Sequence, residues 1–245
     1  KAARPFLPDV VSYLAADGWY AKKNYVDAAV AEDLHLVTKL RADANMRFRY
    51  TGERTGKQGR PKTYDGKVDW QDLRRFDNVD CSDLEPEIEV YIAELHHATL
   101  KRWLRTVVLV WYTADGKHHH AILATTDLKA TAADVLRIYQ ARFQIEFLLR
   151  DGKQHAGLTE CQARNKEALD FHFNASLATV SAARAAAVAE HKGDDPFVFS
   201  LATQKQVAFK EHFMEQISAK YGYDLSSRKT YLAYQELSTY GALAA

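Results

Sequence analysis

Four side chains of complementary chemistry fall on one short stretch: Tyr139, Arg142, Glu146 and Lys153, the last three at offsets of three, seven and fourteen residues from the first. On a continuous α-helix, at about 100° per residue, these offsets put all four within roughly 60° of one face. A carboxylate in such a stripe can hold a hard cation such as Mg²⁺, while a guanidinium and an ammonium suit phosphate oxygens. The same spacing also describes a solvated face, with Arg142 and Glu146 as an i,i+4 ion pair worth about 0.3 kcal/mol. Spacing alone favours the plainer reading.

A second acid stands at the end of a strand pattern. Residues 10–16 (VVSYLAA) form an apolar run with β-branched and aromatic members, ending at Asp17-Gly18. This reads as a buried strand that delivers Asp17 at its C-terminal end. Residues 21–32 have helical character and residues 34–40 (LHLVTKL) read as another strand. A strand, helix, strand unit of this kind pairs in parallel. Asp17-Gly18 could equally only start a turn.

Charge is segregated along the chain. Residues 39–75 carry eleven Lys and Arg against five Asp and Glu, a local net charge of +6. Their centre, residues 51–61 (TGERTGKQGRP), is rich in Gly and reads as a mobile loop. Arg41, Arg60 and Lys62 in this stretch are candidate phosphate contacts, because counterion release rewards each phosphate neutralised. Residues 77–94 reverse the sign, with seven acids and no Lys or Arg. They should face away from nucleic acid or fold against the basic arm.

Residues 88–95, 104–112 and 118–125 read as strands, the last two joined by a turn at Ala114-Asp115-Gly116-Lys117, and together they suggest an antiparallel β-rich insertion. His118, His119 and His120 alternate faces in a strand and have no further ligand at metal spacing, so they read as turn-flanking residues. Thr131 and Asp134 resemble a capping box that fixes the start of the helix carrying the stripe, with Gly152 as its weak point. Residues 168–190 read as an Ala-rich helix laid against the sheet; Asp194-Asp195-Pro196 breaks the chain, and residues 203–221 and 228–245 read as amphipathic helices.

With 245 residues, 47% hydrophobic and 27% charged, the chain has the composition of a soluble globular protein able to bury one sizeable core, or a core plus an insertion. A net charge of +1 does not by itself announce a nucleic-acid binder. Cys81 and Cys161 form no ligand spacing, which fits a reducing cytoplasm. No apolar run of membrane-spanning length and no apolar signal region is present.

Tyr139, Arg142, Glu146 and Lys153 at these spacings resemble the Tyr-Arg-Glu-Lys signature of a large family of bacterial insertion-sequence DDE transposases. Lys153-Gln154, Gly157-Leu158 and Gln162-Ala163-Arg164 are similar to that family's continuation, and Asp17-Gly18-x-Tyr20 to the region of its second acid. The resemblance implies a ribonuclease H-like α/β core interrupted by a β-rich insertion, with a helical C-terminal region. Its expected divisions are residues 1–40 (core unit with the second acid), 41–127 (basic loop and insertion), 128–192 (signature and packing helices) and 193–245 (C-terminal helices).

The resemblance also implies roles: Asp17 and Glu146 as second and third catalytic, metal-ligating acids, Arg142 and Lys153 on phosphates, and Tyr139 positioning a nucleotide. It implies two Mg²⁺ or Mn²⁺ ions, double-stranded DNA as terminal repeats and target, a homodimer on the DNA ends, and action in the bacterial cytoplasm. The first acid has no counterpart in this sequence, since Asp9 stands too close to the next strand. The chain is therefore expected to be the C-terminal part of a transposase that cleaves and transfers DNA strands, or else a DNA-binding remnant without catalysis. Relatives that form a DNA hairpin carry a Trp on the strand before the signature helix, and none lies between His118 and Thr125.

Overall fold

The computed structural model describes residues 4–53, 61–192, 197–224 and 227–240. The centre of the basic loop, with Arg60, and the break at residues 194–196 lie outside the described residues. The chain divides into two compact units, Lys1–Phe143 and Gln144–Ala245. That division falls inside the stretch expected to be one signature helix.

The first unit is built on a mixed sheet. Its elements are β1 (Tyr13–Ala16), α1 (Lys23–Val30), β2 (His35–Leu40), β3 (Met46–Arg49), β4 (Tyr64–Lys67), β5 (Asp77–Val79), β6 (Glu89–His97), β7 (Arg102–Tyr112), β8 (His118–Thr125) and α2 (Ala132–Ala141). The sheet order is β1-β2-β8-β7-β6-β3-β4, with β5 also on β6. β1 and β2 pair in parallel, Tyr13 opposite His35 through Ala16 opposite Thr38, as the βαβ reading expects. All other pairs are antiparallel, so the β-rich stretch continues the sheet rather than forming a separate one. The basic stretch of residues 39–75 contributes two strands, β3 and β4, one on either side of the residues read as a loop.

Alternation along the long strands feeds two apolar layers. On one face Leu36, Met46, Leu95, Leu104, Val108 and Ile122 pack with Val26 of α1 and with Trp70 and Phe76. On the other, Val37, Ile92, Val107 and Leu123 pack with Val135 and Leu136 of α2. Each such side chain contributes about 1.5–3 kcal/mol by leaving water, which is what fixes the register of these strands. The capping box that starts α2 is present, the Thr131 hydroxyl accepting from the Asp134 N–H at 3.1 Å and the Asp134 carboxylate accepting from the Thr131 N–H at 3.2 Å.

The second unit contains α3 (Gln144–His155), α4 (Lys166–Glu190), α5 (Leu201–Tyr221) and α6 (Arg228–Thr239). α4 packs on α3 and α5, and α5 on α6. The Ala-rich helix expected against the sheet thus finds its recorded partners among helices. Gly152 does not interrupt α3. A Cβ there would stand 3.3 Å from Leu158 and 3.6 Å from Leu177, so the glycine sits where neighbouring side chains come close to the helix. None of the described helices is long and apolar enough to cross a membrane.

The edge strand β1 is tied to the loop after β8 by the Tyr13 hydroxyl, which donates to the Asp127 carboxylate. That bond, then burial and the nearby acid, pushes the Tyr13 phenol up to about 12. Burial opposes ionisation of Asp127, but the bonds from Tyr13 and the Lys129 N–H hold its carboxyl below its usual value. A phenol raised on folding stabilises below its unfolded value near 10 and loses that contribution as pH rises through the folded one. Tyr13→Phe should lower stability at pH 7 by about 1.5 kcal/mol, and the wild-type advantage should shrink above pH 10 in denaturant titrations. An advantage that is absent at pH 7, or that persists unchanged to pH 12, would contradict this pairing.

Candidate active site

Asp17 follows β1 directly and precedes a single 3₁₀ turn, Gly18–Tyr20. Its backbone is extended (φ −63°, ψ 157°), and its side chain does not cap the turn, which leaves an exposed carboxylate at the strand end. The main chain of Asp17 is clamped instead. Its carbonyl accepts from the Tyr20 N–H at 2.9 Å and from the hydroxyl of Thr38 at 3.1 Å, and Thr38 is buried in β2. Next to it, a Cβ on Gly18 would lie 2.8 Å from the backbone oxygen of Lys39, closer than such atoms approach. Glycine is therefore required by contact with β2, not by an unusual φ.

α2 brings two of the signature residues to this strand end. Tyr139 is half-buried against the layer that holds Val37 and Leu136. Burial raises its phenol, the Arg142 guanidinium opposes that shift, and the Asp17 carboxylate adds to it. Arg142 lies over the Tyr139 ring at 5.7 Å and over Phe143 at 4.6 Å. Asp17, Tyr139 and Arg142 thus share one electrostatic neighbourhood within the first unit.

The four signature residues do not lie on one continuous helix. α2 ends at Ala141, where the N–H groups of Arg142 and Phe143 bond back three residues, to Tyr139 and Gln140, at 3.1 Å each. Such tightened bonds close a helix end. Tyr139 and Arg142 therefore belong to the end of α2, and Glu146 and Lys153 to α3. The latter pair, seven residues apart, still share a face of α3, and both are exposed. Glu146 in the first turn and Lys153 in the last also complement the helix dipole, a structural role that coexists with any other.

The remaining expected contacts are dispersed. Arg41 follows β2 at the sheet end that carries Asp17 and pairs with Asp43 at 3.0 Å. Lys62 precedes β4, at the opposite edge of the sheet from β1, and pairs with Asp65 at 2.9 Å. His119 stacks on Trp111 and His120 on Trp70, while the His120 ring lies 3.2 Å from the Ala42 carbonyl, so these histidines are strand residues with neighbours. Thr38 is a positioning residue that no motif marks, and Gly18, part of the Asp17-Gly18-x-Tyr20 pattern, positions through its contact with β2. Their signal was the strand-end acid itself, which needs a neighbour to hold its main chain.

Among the described residues no three His, Cys, Asp or Glu side chains gather as a metal-binding group. By donor type, the exposed carboxylates of Asp17 and Glu146 suit a hard divalent cation. Residues 2–180 match the family model described as the transposase DDE domain. The chain belongs to that family, whose members act on DNA by strand cleavage and transfer and generally use divalent metal. No curated protein matches the chain.

Gly18→Ala should cost about 2 kcal/mol, because a methyl group forced against a strand carbonyl moves backbone. Thr38→Val should cost about 1 kcal/mol through the lost bond to the Asp17 carbonyl. Urea denaturation measures both, and wild-type midpoints in the two variants would contradict the clamp.

Proposed function

We propose that the chain is the catalytic region of a bacterial insertion-sequence transposase of the Tyr-Arg-Glu-Lys type, acting on a ribonuclease H-like core. Asp17 serves as the second and Glu146 as the third carboxylate of its DDE triad. The observation that carries this reading is the gathering of Asp17, Tyr139 and Arg142 at the C-terminal end of β1, with the Asp17 carboxylate exposed and its main chain clamped. A strand end of this kind presents an acid to a substrate without involving it in the fold.

Asp17 and Glu146 would hold Mg²⁺ or Mn²⁺. When bound, a pair of such ions supplies activation of the attacking oxygen and stabilisation of the leaving one. Arg142, whose guanidinium lies over the Tyr139 and Phe143 rings, would meet a phosphate of the transposon end, and Lys153 another. Tyr139, with its raised phenol, stays protonated at neutral pH and can donate a hydrogen bond to a phosphate or sugar oxygen. Arg41, Arg60 and Lys62 add weaker contacts along the flanking duplex. Terminal repeats and target DNA are the partners, two copies of the chain meet on paired ends, and the reaction takes place in the cytoplasm.

Binding of a labelled duplex carrying the element's terminal repeat tests this assignment. Arg142→Ala and Lys153→Ala should each weaken binding on the order of tenfold and reduce the salt slope by about 0.9. Glu146→Gln should leave binding intact while abolishing strand cleavage by the complete enzyme. Binding indifferent to both cations, or cleavage retained by Glu146→Gln, would overturn these roles.

A further inference from the structure

The face of the sheet that α2 covers near Val107 and Leu123 continues, past the helix, into two polar cross-strand rows. Register places Lys67, Arg47, His96 and Trp103 side by side in one row; in the next, Tyr64 stands opposite Arg49 and Glu94 opposite Arg105, with Arg49 and Glu94 joined by an ion pair. Three rings form a compact cluster there: Tyr64 and His96 centroids are 4.7 Å apart, His96 and Trp103 5.3 Å, and Tyr64 and Trp103 6.1 Å. Two guanidiniums lie on it, Arg49 over Trp103 at 4.1 Å and Arg47 over Tyr64 at 5.3 Å. Burial, with Arg47 beside it, holds the His96 imidazole below its ordinary value, so the ring acts as a neutral aromatic between the two arginines. Its Nδ1 is buried with no hydrogen-bond partner.

This platform has no role in the core. Arg47, Arg49 and Lys67 are exposed, whereas the partners that fill the apolar layers lie on other positions of the same strands. A guanidinium laid flat on a ring loses rotamer freedom in advance and keeps its N–H edge free for an anion. Arg47 and Arg49, alternate residues of one strand, stand about 6.6 Å apart, which lets each meet a phosphate of its own. The rows hold four cations and one acid, Glu94, which pairs with Arg49. Glu94 thus occupies the site that an external anion would take.

We propose that Arg47 and Arg49, held on the Tyr64, His96 and Trp103 platform, form a second DNA-backbone contact in which duplex phosphates displace Glu94 from Arg49. The proposal rests on the transposase reading and extends it. β3, which carries both arginines, lies five strand spacings from β1, about 24 Å, so this contact is separate from the Asp17 end. The platform reads no base sequence. Its contribution is electrostatic and common to all duplexes.

The test is anisotropy of a labelled 20-base-pair duplex with the full chain across a KCl series. Arg47→Gln combined with Arg49→Gln should weaken binding on the order of tenfold and reduce the salt slope by about 1.8, two phosphates' worth. Glu94→Gln should strengthen binding and steepen the slope by up to about 0.9. Glu89→Gln, which removes the same charge on the opposite face of β6, should do neither. If the arginine pair leaves the slope unchanged while Arg142→Ala lowers it, the platform is overturned and the transposase reading stands. Equal effects of Glu94→Gln and Glu89→Gln overturn it as well. No salt-dependent binding by the wild-type chain overturns both.

Discussion

The arrangement of the first unit depends on the contact between the end of β1 and β2. Only four residue pairs join these parallel strands, and β1 has no second strand beside it among the described residues. Its C-terminal end is held by two local devices. The buried Thr38 hydroxyl reaches the Asp17 carbonyl, and the missing Cβ of Gly18 lets the chain turn against the Lys39 carbonyl. Because both act on main chain, the Asp17 carboxylate takes no part in the fold. An acid free of structural duties, on a backbone that cannot drift, is what a metal-ligating role demands.

Much of this was legible in the sequence. The apolar run before Asp17, the Gly after it and the following strand pattern give the parallel βαβ unit, since two short apolar runs flanking a short helix have few other ways to bury both faces. The Thr131 and Asp134 capping box sets the start of α2 to the residue. The strands of the insertion were readable from β-branched runs such as that of β7. The end of α2 was not. No Gly or Pro marks Arg142 or Phe143, and the helix closes through backbone bonds three residues back, which leave no signature in residue type. The obvious breaker, Gly152, lies inside a helix because Leu158 and Leu177 pack beside it. Neither position follows from residue type alone.

Charge shows the same division between local and global information. The basic stretch of residues 39–75 and the acidic stretch of residues 77–94 look separate in sequence, yet β3 and β6 lie side by side and Arg49 pairs with Glu94. Part of the positive charge then falls on the sheet itself, through Arg47, Arg49 and Lys67. Net charge of the whole chain hides this, because the acids that cancel it stand elsewhere on the surface.

Asp17 and Glu146 are proposed as metal-ligating acids. Isothermal calorimetry of Mn²⁺ binding to the full chain, with Asp17→Asn and Glu146→Gln beside the wild type, tests this role most directly. The account predicts a measurable site in the wild type that each substitution weakens at least tenfold, with folding unchanged. Binding that survives both substitutions, or a wild-type chain that takes up no Mn²⁺, would contradict it.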